Sequence, residues 1–255
     1  MLLESIHTNC YTKNVLTYIC KIGNLEQIQC IINYYNQQQT IKNNQDIYNH
    51  AFRILCEYGH LDIAQWLLQN QSTINISSEN DYAFRYACDN GHLNIAQWLL
   101  EIDPTLNVSS DNDYAFRYAC DNGHLNIAKW LLEIKPTIDI SADNEYAFRS
   151  ACQYGHLSIA QWLFEIKPTI NISTRNEWAF RYACANGHLH IAQWLLEIQP
   201  TINISSGDDY AFRYACDNGH LHIAQWLFEI KPTINISTNH EFAFLSACFS
   251  GHLHI

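Results

Sequence analysis

Seven copies of a Cys-x-x-x-His pair run through this 255-residue chain, from Cys56/His60 and Cys88/His92 to Cys216/His220 and Cys248/His252, each 32 residues after the last. Thiolate and imidazole are both zinc ligands, but a structural zinc site needs four that converge. Each copy offers two. Three His-x-His pairs, His188/His190, His220/His222 and His252/His254, would share a face on a strand but diverge on a helix. The surrounding pattern is helical, so no metal is assigned to either constellation. Asn75-Ile76-Ser77 and its equivalents at Asn107, Asn171, Asn203 and Asn235 match the glycosylation acceptor. The N-terminal MLLESIHTNC lacks the basic segment and long apolar core of a secretion signal, so these read as by-products of repetition. There is no phosphate-cradling glycine loop, no Ser/His/Asp arrangement and no paired acids outside the repeated rows. A catalytic centre needs one special constellation, whereas this sequence supplies near-copies of everything. The expectation is no enzyme, no cofactor and no metal.

The elements that carry these residues follow from the spacing. Gly59-His60, Gly91-His92, Gly123-His124, Gly155-His156, Gly187-His188, Gly219-His220 and Gly251-His252 mark a period that means a stacked array, each repeat packing on its neighbours. The type stretch is Asp81 to Ser109. Its first helix is predicted from about Tyr82 to Asp89, introduced by Asp81 as a cap of the first turn. Phe84, Ala87 and Cys88 share one face and point to the core. Gly91 ends the helix, and a second runs from about His92 to Ile102 with Leu93, Ala96, Leu99 and Leu100 as its apolar stripe, widened by Ile95 and Trp98. Pro104 stops it, and Thr105 to Ser109 alternates like an extended arm of a hairpin-like loop. Asn80, repeated as Asn112, Asn144, Asn176, Asp208 and His240, belongs to residue types that tolerate positive φ. The tryptophans Trp66, Trp98, Trp130, Trp162, Trp194 and Trp226 form a ladder read as packing between repeats.

A degenerate first repeat lies between Asn14 and Asn33, with Gly23 for the fixed glycine and Leu16, Cys20, Leu25, Ile28, Ile31 and Ile32 on core positions. The polar stretch Tyr34 to Asp46 reads as a longer loop. Residues 1–46 thus hold a leader, a capping repeat and that loop, and residues 47–255 hold the array, whose last repeat is truncated four residues past Gly251. That truncation suggests either a fragment of a longer protein or a frayed end.

The net charge of -11 argues against a backbone-reading nucleic-acid binder. No apolar run approaches the roughly 20 residues of a membrane span. Seven cysteines on one repeat position, in helices roughly 8–10 Å apart, are too distant for disulfides and suit a small buried hydrophobe in a reducing cytoplasm.

Ala87 to Glu101 (ACDNGHLNIAQWLLE) resembles the ankyrin repeat, whose unit is about 33 residues, and the similarity covers about residues 14–255. The Thr-Pro-Leu-His opening of the family is replaced by Tyr82-Ala83-Phe84-Arg85, and its glycine after the second helix by the Pro104 turn. The resemblance implies an all-α, ankyrin-type helix-turn-helix repeat solenoid with hairpin-like loops. It also implies that the repeated His bonds the loop backbone at the start of the second helix. The Ala-Phe-Arg and Ile-Ala-Gln-Trp-Leu wording is similar to ankyrin proteins of giant amoeba-infecting DNA viruses. Such arrays generally bind other proteins, so the implied function is a monomeric viral adaptor engaging a host protein in the host cytoplasm. Alternatives are a self-associating spacer or virion component, and the substrate-recruiting arm of a ubiquitin-ligase complex, for which no separate ligase-binding box is seen.

Variation among the repeats locates the expected contact surface. One row reads Tyr82, Tyr114, Tyr146, Trp178, Tyr210, Phe242, and another Glu57, Asp89, Asp121, Gln153, Ala185, Asp217, Phe249. Aromatic anchors beside acids suit a protein interface, and Arg175 with Trp178 makes the most distinctive repeat. The candidate residues are Tyr82, Asp89, Tyr114, Asp121, Tyr146, Arg175, Trp178, Tyr210 and Asp217. The opposing possibility is that the tyrosines pack between repeats while the acids pair with Arg85, Arg117 and Arg213 four residues earlier.

Overall fold

A computed structural model describes residues 9–37, 44–234, 243, 245 and 247–252. Expectations for residues 1–8, Asn235, His240, Phe242 and His254 lie outside the described residues. The described residues form two compact units, one of residues 1–119 with 126–136 and one of residues 120–125 with 137–255. Neither contains a strand among the described residues.

Helices come in pairs. The first five are α1 (Asn9–Ile22), α2 (Leu25–Gln37), α3 (Asn44–Glu57), α4 (Leu61–Asn70) and α5 (Ser78–Asp89). They continue as α6 (Leu93–Ile102), α7 (Ser110–Asp121), α8 (Leu125–Ile134), α9 (Ala142–Gln153) and α10 (Leu157–Ile166). The last four are α11 (Thr174–Ala185), α12 (Leu189–Ile198), α13 (Ser206–Asp217) and α14 (Leu221–Ile230). In the first unit α1 packs on α2 and α3, α3 on α4 and α5, and α5 on α6. In the second, α9 packs on α10 and α11, α11 on α12 and α13, and α13 on α14. Each of these first helices therefore meets its own second helix and the first helix of a neighbouring repeat.

The turn between paired helices is set by the glycine. Gly91 takes φ 86°, its N–H reaches Cys88 O, and the His92 N–H reaches Ala87 O at 2.8 Å, which closes the helix end in a Schellman arrangement. A second constraint falls on the same position, because a Cβ on Gly59 would stand 2.6 Å from the ring of His92 in the next repeat, and one on Gly155 2.6 Å from that of His188. The imidazole covers the glycine of the preceding repeat, so only glycine fits there.

The core rows match the periodicity. Phe84, Ala87, Cys88, Ile95, Ala96 and Leu99 are fully buried in the first unit, as are Phe148, Ala151, Cys152, Ile159, Ala160 and Leu163 in the second. The tryptophans pack as the ladder predicts: Trp98 and Trp130 lie on Phe52 and Phe84, and Trp194 and Trp226 on Phe148 and Phe180, with centroids 6.0–6.4 Å apart. In the capping repeat Leu16, Cys20, Ile28 and Ile32 are buried, whereas Leu25, expected inside, is exposed at the start of α2. The long loop is shorter than expected, since α2 runs on to Gln37 and α3 begins at Asn44.

The stretch before each first helix departs most from expectation. Glu79, Asn80 and Asp81 take φ of 55°, 56° and 58°, a full left-handed turn; Asp143, Asn144 and Glu145, and Arg175, Asn176 and Glu177, repeat it in the second unit. The Asn row is of a type that favours positive φ, whereas Glu79, Glu145, Arg175 and Glu177 are not. Left-handed backbone costs roughly 1–2 kcal/mol per non-glycine residue, and an arginine offsets it. Arg85 Nε donates to Asn80 O at 2.7 Å and Nη2 to Glu79 O at 3.1 Å. Arg149 and Arg181 make the same fork on Asn144 and Asp143 and on Asn176 and Arg175.

This turn also corrects the role of the acid row. Asp81 sits in the left-handed turn rather than at an N-cap, and its buried carboxylate accepts from the Ser110 hydroxyl of the next repeat. Glu145 and Glu177 accept from the backbone N–H of Asn171 and Asn203, each at 3.3 Å. Whereas Asp209 accepts from Ser205 of its own repeat, Asp81, Glu145 and Glu177 thus tie their repeats to the following loop. In that loop the expected extended arm shrinks to Leu106 and Asn107 between two turns. Asn107 Oδ1 accepts from the Ser109 N–H at 3.1 Å, and Asn75 and Asn203 do the same for Ser77 and Ser205. The Asn of the apparent glycosylation acceptor is thus a turn-forming residue.

Candidate functional site

The left-handed turn fixes where each first helix starts, and with it the face that helix presents. In the first unit the rings of Tyr82 and Tyr86 stack at 4.0 Å, Tyr86 meets Tyr114 at 5.5 Å, and Tyr114 stacks on Tyr118 at 4.0 Å. All four are half-buried, leaving a continuous aromatic column with one edge in solvent. Guanidinium groups lie on it, Arg53 at 5.5 Å from the Tyr82 centroid and Arg85 at 4.8 Å from that of Tyr114. The second unit has Trp178 on Tyr182 at 4.2 Å, Tyr182 on Tyr210 at 5.2 Å and Tyr210 on Tyr214 at 4.2 Å, with Arg149 over Trp178 and Arg181 over Tyr210.

The acids predicted to flank this row do so, but through a different partner. The Tyr82 hydroxyl donates to Glu57 at 2.7 Å and the Tyr114 hydroxyl to Asp89 at 3.0 Å. In the second unit the Tyr146 hydroxyl donates to Asp121 at 3.1 Å and Trp178 Nε1 to Gln153 Oε1 at 2.9 Å. The pairing runs between repeats, 25 residues apart, and not to an arginine four residues earlier in the helix. Arg85 is engaged at the turn instead. Where Ala185 supplies no acceptor, the neighbour of the Tyr210 ring is that of Tyr182, 5.2 Å away. Burial, and then the acceptor carboxylate or neighbouring phenol, push the Tyr82, Tyr114 and Tyr210 hydroxyls above their ordinary range, so these are donors at neutral pH. Burial raises the Asp121 carboxyl, against the hydroxyls of Tyr146 and Ser150, which lower it.

Eight of the nine candidate residues therefore sit on or beside the column: Tyr82, Asp89 and Tyr114 in the first unit, and Asp121, Tyr146, Trp178, Tyr210 and Asp217 in the second. Asp217 Oδ1 meets the Ser250 hydroxyl at 3.4 Å. Arg175 lies apart, at the left-handed turn, with Nη2 on Asp143 Oδ1 at 3.3 Å. Sequence reasoning missed the second ring of each pair, Tyr86, Tyr118, Tyr182 and Tyr214, although four-residue spacing from the first ring was visible. Ser150 takes that position in one repeat and interrupts the column, its hydroxyl turned inward to Ala147 O.

The Cys/His constellation does not converge. Burial pushes the core thiols up, Cys20 to about 12 and Cys216 to about 11, with Cys56, Cys88, Cys120, Cys152 and Cys184 higher still. They are inert small hydrophobes. Cys248 departs from the row and is exposed. The histidines face the other way. His60 Nε2 pairs with Lys21 O at 2.9 Å, and His188 and His220 bond the backbone at Gln153 and Ala185. Their partner is the end of the preceding repeat's first helix, not the start of their own second helix. Burial lowers the His188 and His220 rings below the ordinary imidazole range. His190 and His222 are exposed and, with His188, line a recess of about 290 Å³ in the second unit. Among the described residues no three His, Cys, Asp or Glu side chains are grouped to hold a metal ion, and no helix is long and apolar enough to cross a membrane.

Family models agree with this geometry. Models of ankyrin repeats match residues 52–144, 84–176 and 180–228. No curated protein gives a significant match.

Proposed function

The chain belongs to the ankyrin-repeat family, and from that premise we propose that it is an adaptor that binds a protein partner along the aromatic and carboxylate strip of its first helices. Ankyrin repeats generally mediate protein–protein interaction and are typically non-enzymatic scaffolds. The observation that carries the strip is its order before any partner arrives. Tyr114 is stacked on Tyr118, covered by Arg85 and hydrogen-bonded to Asp89, yet keeps one edge in solvent. Rings held in that way lose little side-chain freedom on binding, and large half-exposed aromatics supply most of the contact energy in protein interfaces.

The carboxylates along the first unit and at Asp121 and Asp217 favour a basic or mixed protein segment over nucleic acid, in line with the net charge of -11. The wording of the repeat supports a viral origin, a host protein as partner and the host cytoplasm as location.

The test is affinity capture from amoebal lysate with the chain and with a variant carrying Tyr114→Ala, Asp121→Lys, Tyr146→Ala and Trp178→Ala, both matched for helical content by circular dichroism. A host protein enriched by the first and lost by the second supports the adaptor reading. Capture of the same proteins by both contradicts the strip. Recovery of the chain's own copies alone favours a self-associating spacer.

A further inference from the structure

In the first unit, Arg53 and Arg85 each find an acid at the left-handed turn of the following repeat. Arg53 Nη2 lies 2.7 Å from Glu79 and Arg85 Nη1 3.3 Å from Asp111. The same register, 26 residues on, sets Arg175 against Arg149 and Gly207 against Arg181 in the second unit. The first exchange replaces an acid by a base and the second replaces an acid by no side chain. Counted over its three residues, the Arg175 turn is two charges more positive than either first-unit turn, whereas the Gly207 turn keeps their net charge because Asp208 stands where they carry Asn.

The consequences are visible around these side chains. Arg149 is only 4% exposed, and its Nε and Nη2 are committed to backbone carbonyls at 2.6 and 2.9 Å. Its guanidinium lies 5.2 Å from the Trp178 centroid. Among the described residues neither Arg149 nor Arg181 makes an ion pair. Burial, and after it the like charge of Arg175, hold the Arg149 guanidinium below its ordinary value, with Asp143, Tyr146 and Glu145 acting the other way. Arg175 leans on Asp143 at 3.3 Å with its side chain 46% exposed. Arg181 donates to Asn176 O and Arg175 O, and its Nη1 stands 3.2 Å from where a Cβ on Gly207 would be, so no side chain shields it there. The carboxylates nearby are Asp143, the buried Glu145 and Glu177, both bonded to loop N–H groups, and Asp208 and Asp209 in the Gly207 turn, the second of which accepts from Ser205.

We propose that the turn cluster of Arg175 and Arg181, backed by the buried Arg149, binds the carboxylates of an acidic segment in a protein partner. A guanidinium presents a planar fork that fits a carboxylate through two hydrogen bonds. Arg175 and Arg181 reach the surface, and Arg149 beneath them adds positive charge that makes no ion pair among the described residues. A short acidic segment touches this cluster alone, whereas a nucleic-acid backbone or an anionic membrane would also meet the remaining surface of a chain with net charge -11. The proposal rests on the protein-binding reading and deepens it. The partner carries an acidic stretch for these turns beside the basic or mixed stretch that fits the strip.

Fluorescence anisotropy at low salt tests this with two labelled peptides of about a dozen residues, one rich in Glu and one rich in Lys. The proteins are the full chain, Arg175→Asp, Gly207→Asp and the strip variant Tyr114→Ala/Tyr146→Ala, each checked by its melting temperature. The Glu-rich peptide is expected to bind the full chain and to weaken about tenfold or more with Arg175→Asp, less with Gly207→Asp, and little with the strip variant. Because Arg175→Asp restores the acid found at Glu79 and Asp111, its melting temperature should hold or rise while binding falls. Equal binding by the full chain and both turn variants overturns the proposal, as does no binding of the Glu-rich peptide to the full chain. Tighter binding of a single-stranded oligonucleotide, released by Arg175→Asp, overturns the assignment to a protein segment. The Lys-rich peptide reports on the strip separately: its loss in the strip variant sustains the adaptor reading even where the turn cluster fails.

Discussion

The left-handed turns of the two units share one backbone and differ in what they carry. Glu79 and Asp111 in the first unit take φ of 55° and 54°; Arg175 and Gly207 in the second take 50° and 67°. In both units an arginine holds the turn through its carbonyl oxygens, at 2.7 Å for Arg85 on Asn80 and 2.6 Å for Arg181 on Asn176. Carbonyls belong to every residue, so this clamp is indifferent to the side chain at the tip. The difference teaches that the turn's conformation and its surface chemistry are set by separate groups. The tip is free to be acid, base or glycine without loss of the fold, which is what a variable contact surface on a fixed scaffold requires.

The comparison can be broken most severely in the core, which both units are taken to share. Phe84 and Phe148 are both fully buried and lie against Trp130 and Trp194. Truncation of either to Ala should cost about 3–5 kcal/mol in urea unfolding. A much smaller loss for one would mean that its unit tolerates a cavity the other does not.

A step smaller, Arg85→Ala and Arg181→Ala each remove a fork from two turn carbonyls and should cost about 2 kcal/mol. Arg85→Ala should cost slightly more, because Arg85 also holds Asp111 while Arg181 makes no ion pair among the described residues. Equal losses, measured by thermal and urea unfolding, would mean that the ion pair contributes nothing.

Burial lowers histidines in both units, His188 and His220 in the second, and the first adds a further acid-sensitive group at His50, which stands in the aromatic row in place of tyrosine. Its Nε2 pairs with Thr17 Oγ1 at 2.7 Å, and burial, then Lys13 and Arg53, lower the ring to about 4 from an ordinary 6.5, against the carboxylate of Glu79. The unfolded chain therefore binds this proton more readily than the folded one. Stability is whole above pH 6.5 and falls as the pH drops toward about 4. Discounted for the exposed part of the ring, the loss is about 1 kcal/mol. His50→Tyr should flatten that limb in urea titrations between these pH values.

The smallest effects are at the tips themselves. Asp111→Ala in the first unit should lower stability and Arg175→Asp in the second should raise it, each by about 0.5 kcal/mol, since these pairs are partly solvated. Opposite signs sharpen the comparison. A fall in both would mean that Arg175 stabilises its turn.

The sequence made the helix pairs plain, because glycine at φ 86° and an apolar stripe on the second helix leave a strong periodic signal. The turn was only partly legible. Asn80 belongs to a residue type that tolerates positive φ, whereas Glu79 does not, and a run of three such residues depends on an arginine folding back five and six residues. The two rows stand side by side as their spacing suggests, but the bonds that join them were not legible. Four-residue spacing suggests Arg85 with Asp89, but the partner of Asp89 is Tyr114, which comes alongside only when repeats stack. The acid row failed for the same reason, Asp81 answering to Ser110 of the next repeat.

The measurement closest to the central claim is site-specific photo-cross-linking from the strip and from the opposite helix. A benzophenone side chain would replace Tyr86 on the half-exposed column in one protein and Gln97, exposed on α6, in another. After irradiation in amoebal extract, the account predicts discrete adducts from position 86, absent from position 97 and competed by unlabelled chain. The same adducts from both positions, or from position 97 alone, would contradict a binding face on the first helices.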